Sequence, residues 1–92
     1  MPEKEITIIN KLGLHARAAA KLVTLASQYP CEVRVARVGN SGREVSGKSI
    51  MGVMMLAAAQ GSRLRLVAEG DEAQIALDSL EALINRRFDE DA

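Results

Sequence analysis

The feature that most narrows what this chain can fold into is the alternation of two residue periods within only 92 residues. Glu32 to Val38 and Arg63 to Glu69 alternate with period two, the pattern of strands with one wet face. In the first run Val33, Val35 and Arg37 oppose Arg34, Ala36 and Val38; in the second Leu64, Leu66 and Ala68 oppose Arg65 and Val67. Around these runs apolar residues recur at helical spacing. Ala19, Leu22, Val23 and Ala26 do so in a run from Ala16 to Ser27, which Pro30 stops. Ala73, Leu77, Leu80 and Ile84 do so in a run from about Asp71 to Arg87, with Asp71 placed to cap it. The β-branched stretch Glu5 to Ile9 predicts a first strand, and Asn10, Lys11 and Gly13 break it. Gly39-Asn40-Ser41-Gly42 predicts a turn, Arg43 to Val45 a short return strand, and Ser49 to Gln60 a second helix ended by Gly61.

The resulting order is β-α-β-β-α-β-α, with no internal repeat and no linker, which predicts a single domain over residues 1–92. In so short a chain most elements face the core with one side and water with the other. The economical solution is an α/β (α+β) open-faced sandwich, a four-stranded antiparallel sheet with three helices on one face. The pattern alone allows a ferredoxin-like strand order equally well.

Composition removes several functional classes. Twelve basic and twelve acidic residues cancel, leaving no field to attract nucleic acid or an anionic membrane. Tyr29 and Phe88 are the only aromatic residues, too few for base stacking. Cys31 stands alone, so neither an internal disulfide nor a cysteine metal site is expected, which suits a reducing compartment. Met-Pro-Glu-Lys-Glu at the start has no signal-peptide pattern, and no apolar stretch approaches the roughly 18 residues of a membrane span. A cytoplasmic protein with a protein or small-molecule partner is the expectation.

The second helix has no polar side. On a helical wheel Val53, Leu56 and Ala57 share one arc, while Ile50, Met51, Met54 and Met55 fall mostly on the other. A domain this small has little room to bury a helix all round, so one arc is expected to be exposed, as partner surfaces are. Methionine suits a surface that must fit several partners. The plainer alternative is a fully buried helix with methionines filling gaps, and the pattern does not choose between the two.

His15 is the only histidine and sits where strand gives way to helix. One reading is an ordinary capping-region residue. No ligand set for a metal surrounds it, and no acid–histidine pattern singles out a serine for a triad. The other reading starts from position. If Ala16 begins the helix, the first-turn N–H groups and the positive end of the dipole lie at the ring. That field favours the neutral imidazole, which keeps a lone pair for nucleophilic attack. An attacked phosphoryl group would place its oxygens at a helix N-terminus, formed here by Ala16 and Ala18, with Arg17 in reach. Gly13 would allow the bend that leaves the ring uncovered. The residues permit a phosphohistidine site without requiring one.

Two stretches then decide the matter. "GLHARAAAKLV" at 13–23 and "GKSIMGVMMLAAAQG" at 47–61, with the element order, resemble HPr, the histidine phosphocarrier of the bacterial phosphotransferase system, over nearly the whole chain. "NKLGLHAR" and the "FDED" ending are most similar to the nitrogen-related branch, often called NPr. The resemblance implies the HPr strand arrangement and a cofactor-free, monomeric carrier rather than a stand-alone enzyme. It implies that His15 takes a phosphoryl group on Nδ1 from an enzyme I-type donor and passes it to a IIA-type acceptor, with Arg17 steadying the phosphate. Ser49 corresponds to a site that HPr kinase/phosphorylase modifies in some bacteria, and Ile50, Met51 and Met54 to partner-docking positions. The other readings are a sugar-transport HPr and a non-catalytic interaction domain whose histidine is structural. The sequence departs from most relatives at Ala18, where proline is usual; alanine retains an N–H near the site and puts the rigidity of the helix start in question.

Overall fold

A computed structural model describes residues 1–39 and 43–92. The elements are β1 (Glu3–Thr7), α1 (Ala16–Ala26), β2 (Glu32–Arg37), β3 (Glu44–Ser46), α2 (Ile50–Met55), β4 (Arg63–Glu69) and α3 (Ala73–Asn85), followed by a single 3-10 turn at Arg87–Asp89. The predicted order therefore holds. The strands form one antiparallel sheet in the order β1-β4-β2-β3. β4 is interior, with Lys4 opposite Leu66 on one side and Val35 opposite Leu66 on the other. This is the open-faced arrangement and not the split β-α-β pairing of a ferredoxin-like sheet.

The period-two pattern selects the faces. Ile6, Val33, Val35, Leu64, Leu66 and Ala68 are buried beneath the helices. The other face carries charge: Arg34 lies 3.5 Å from Glu44, Arg65 lies 3.5 Å from Glu44, and Arg63 lies 3.5 Å from Glu5. Such exposed pairs add little stability each. Their value is in the register, because a slip of one residue would turn arginines into the core. Ala18, Ala19, Leu22, Val23 and Ala26 of α1, and Ala73, Ala76, Leu77, Leu80, Leu83 and Ile84 of α3, complete that core. Among the described residues no helix is long and apolar enough to cross a membrane.

Several predicted boundaries move, each for a visible reason. The first strand begins at Glu3 and ends at Thr7, although Ile8 remains fully buried and bonds Ser62 and Gly61 through its backbone. The second helix stops at Met55, not Gln60. Its end tightens through Leu56 N–H to Val53 O and Ala57 N–H to Met54 O, and Ala57 enters the left-handed region at φ 51°. Ala57 is consequently exposed rather than on the core arc with Val53 and Leu56, and Ala58 is buried in its place. Asp71 does not cap the third helix: Glu72, at φ 63°, is the N-cap and makes no side-chain capping bond. That helix ends at Asn85 rather than Arg87, because the chain turns left-handed from Arg87. Of the predicted hairpin turn, Asn40, Ser41 and Gly42 lie outside the described residues.

The two faces of β4 make a direct comparison possible. Leu66→Ala should cost about 3 kcal/mol in denaturant unfolding, since it empties a site with no exposure. Arg65→Ala, one residue along and facing water, should cost less than about 1 kcal/mol.

Candidate functional site

The site is assembled from a loop, a helix start and the returning tail. In the loop, Asn10 is fully buried and its Nδ2 donates to Gly13 O at 2.8 Å, while Gly13 N–H bonds Asn10 O at 3.2 Å. Gly13 holds φ 69°, and a Cβ there would lie 2.7 Å from Ala58 O and 2.9 Å from Ala59 Cα. Only glycine permits that approach of backbone to backbone. Leu14 N–H then bonds Ala58 O at 2.8 Å, pinning the loop to the chain that leaves α2.

His15 is the N-cap of α1, with extended backbone (φ −76°, ψ 179°), and its side chain makes no capping bond. The helix ladder starts with Ala19 N–H to His15 O at 2.8 Å, so the amides of Ala16, Arg17 and Ala18 precede it. No acidic residue occupies the first turn, leaving the positive end of the dipole unneutralised from within the helix. Ala16 and Arg17 are exposed beside the ring. Ala18 packs its methyl into the core at 0% exposure, so its backbone alone faces the helix start. Lys11, Leu12, His15, Ala16, Arg17 and Glu90 line an open groove of about 640 Å³.

Glu90 and Asn10 are the residues that sequence reasoning missed. Arg87, Phe88 and Asp89 hold φ of 58°, 53° and 63°, a left-handed turn that reverses the tail. Phe88 anchors it with no exposure, Lys21 Nζ donates to Phe88 O at 2.7 Å, and Arg86 Nε donates to Asp89 Oδ1 at 3.1 Å. The reversal brings Glu90 Oε2 onto His15 Nε2 and Glu90 Oε1 to 2.9 Å from Asn10 Nδ2. Partial burial pushes the Glu90 carboxyl up, but hydrogen bonds from His15 and Asn10, with the charges of His15 and Arg17, outweigh it and hold the group below its ordinary 4.5. The isolated Phe88 in an otherwise charged tail was the available signal, marking an anchor where the last helix stripe had ended.

The second motif is organised around α2. Ser49 Oγ accepts from Gly52 N–H at 3.1 Å, so the serine is a cap in fact. Val53 and Leu56 are buried, while Ile50, Met51, Met54 and Met55 are 45%, 73%, 42% and 56% exposed. The exposed apolar arc is thus real, and it lies on the helix whose outgoing chain supports the histidine loop. Ser49 is not among the residues that line the groove at His15. Among the described residues no cluster of three metal-ligating side chains occurs.

Known proteins resemble the chain throughout its length. The family profile described as "PTS HPr component phosphorylation site" matches residues 2–86. The phosphocarrier protein HPr of Pseudomonas aeruginosa is 62% identical over 90 residues, 98% of each chain. That of Cupriavidus necator is 53% identical with the same coverage. The phosphocarrier protein NPr of Shewanella violacea is 41% identical over 96% of this chain and 93% of its own. Among solved structures, HPr from Thermoanaerobacter tengcongensis superposes with a TM-score of 0.91 at 41% identity, covering all of both chains.

The Glu90 contacts carry a pH signature. A carboxyl held below 4.5 in the folded state adds stability that is present above that value and is lost as pH falls through the lower, folded value. The difference in thermal stability between the native protein and Glu90→Gln should therefore shrink as the solution is made more acid than about 4.5.

Proposed function

This chain belongs to the HPr family of phosphocarriers of the phosphotransferase system, and from that premise we propose that His15 is its phosphoacceptor, with Nδ1 as the attacking atom. The observation that carries the assignment is the ring's position at the start of α1, beside amides that no intrahelical bond occupies and in one groove with Arg17. The lone pair of Nδ1 attacks phosphorus as the donor's bond to it breaks, and the donor keeps that electron pair. The phosphoryl oxygens then meet the amides of Ala16, Arg17 and Ala18 and the guanidinium of Arg17. The donor is an enzyme I-type protein charged by phosphoenolpyruvate, and the acceptor is a histidine of a IIA-type protein.

Ile50, Met51 and Met54 form the docking patch in this reading. A modest apolar arc with a polar surround suits two unlike partners met in turn. A phosphate on Ser49, placed by an HPr kinase/phosphorylase-type enzyme, would suit the start of α2 electrostatically while adding charge beside the patch and repelling partners. The whole of residues 1–92 acts as one monomeric domain in the cytoplasm, without cofactor. The nitrogen-related branch is favoured by the "NKLGLHAR" and "FDED" stretches and the NPr relative, the sugar branch by the higher identity of relatives named HPr.

Incubation with enzyme I and phosphoenolpyruvate should add one acid-labile phosphoryl group by mass. His15→Ala should abolish it, and Arg17→Ala should slow it by roughly 10- to 100-fold. No gain in the native protein, or an equal gain in His15→Ala, leaves the non-catalytic reading in its place. Sugar-branch and nitrogen-branch enzyme I compared side by side assign the branch. Met51→Asp, at the most exposed patch position, should raise the KM for enzyme I severalfold with little change in folding stability, as loss of one apolar docking contact predicts.

A further inference from the structure

We propose that Glu90 is a positioning residue for phosphoryl transfer, its carboxylate holding the proton of the His15 ring on Nε2 so that Nδ1 carries the attacking lone pair. The inference rests on the reading of His15 as phosphoacceptor and deepens it.

Both oxygens of the carboxylate are engaged. Oε2 faces His15 Nε2, and Oε1 accepts from Asn10 Nδ2 at 2.9 Å. The same Asn10 nitrogen is tied to Gly13 O at 2.8 Å, so the carboxylate is aligned by a fully buried amide that is itself part of the histidine loop. The delivery of this acid is elaborate. Three successive non-glycine residues adopt left-handed backbone, and Phe88 is sunk into the core to return the chain across the ring. The Glu90 side chain is 13% exposed, so the contact is shielded from the water that weakens surface pairs.

The chemistry follows from what a carboxylate can do. Ionised, it accepts hydrogen bonds and donates none, so opposite Nε2 it selects the tautomer with the N–H there. Nδ1 then attacks phosphorus, the donor's bond breaks, and its electron pair returns to the donor. The His15 ring now bears phosphorus on Nδ1, a proton on Nε2 and a positive charge, and Glu90 faces that charge. In onward transfer the acceptor nitrogen attacks phosphorus, the Nδ1–P bond breaks, and its electron pair returns to Nδ1, leaving the ring neutral. No proton leaves Nε2 in either step, so one carboxylate serves both directions.

His15 is the sole histidine, so its ring nitrogens are observed without overlap in ¹⁵N NMR of the whole chain. The neutral ring should be almost wholly the Nε2–H tautomer in the native protein, and Glu90→Ala should raise the Nδ1–H fraction to at least the minority share it has in a free histidine side chain. Phosphorylation by enzyme I and onward transfer should each slow by about tenfold in that variant, the loss of one charge-assisted hydrogen bond. Circular dichroism checks that Glu90→Ala remains folded. An unchanged tautomer ratio overturns the proposal whatever the rates do, as does a ratio that shifts while both rates stay the same. The tautomer measurement uses no partner, so it judges Glu90 separately from the phosphorylation assay that judges His15.

Discussion

The structure depends on a sheet that can bury one face and no more. β4 lies between β1 and β2, and its Leu64, Leu66 and Ala68 are sealed against the helices while Arg63 and Arg65 stand in water. At about 25 cal/mol per Å² of apolar surface removed from water, that single interface is the main stabilising term available to so short a chain. All three helices must therefore sit on the same side. Their termini and connecting loops are gathered there too, and the loop before α1, the chain leaving α2 and the tail after α3 meet at His15.

That gathering explains why parts of the molecule were legible in the sequence and others were not. Period two in 32–38 and 63–69, and the α1 and α3 stripes, are local consequences of one wet and one dry face, and they placed the core residues correctly. The exposed arc of α2 was legible as an excess of apolar side chains over the room to bury them. Strand order was not, because antiparallel and split arrangements share the same local periods. The end of α2 was misjudged because alanines at 57–59 have high helix propensity, and what stops the helix is the distant loop bonding Ala58. The Asp71 cap was misjudged for a similar reason: Gly70, at φ 115°, and Glu72 make the turn by backbone conformation.

The histidine itself was conspicuous, and its environment only half so. The helix start and Arg17 lie within two residues of it, within reach of any local reading. Glu90 lies 75 residues away and Asn10 looked like a strand breaker, so the polar group nearest the ring was hidden by chain distance. The helix start and this carboxylate also approach the ring separately. The first turns amides toward the ring from one side and the second brings an acceptor from the other, so its surroundings are assembled from two ends of the chain.

The left-handed turn at 87–89 has a consequence for how firmly Glu90 is held at the ring. Left-handed backbone costs roughly 1–2 kcal/mol per non-glycine residue, and burying one phenyl side chain contributes roughly 1.5–3 kcal/mol. The strain of Arg87, Phe88 and Asp89 taken together thus exceeds the anchorage of Phe88, and polar contacts from Lys21, Arg86 and Asn10 must supply the remainder. Dissolved salt screens the half-exposed Arg86–Asp89 pair and leaves the phenyl burial largely untouched. Because so exposed a pair contributes little, the hold of the tail on the ring should persist in salt, resting on the phenyl anchor and the contacts of Lys21 and Asn10.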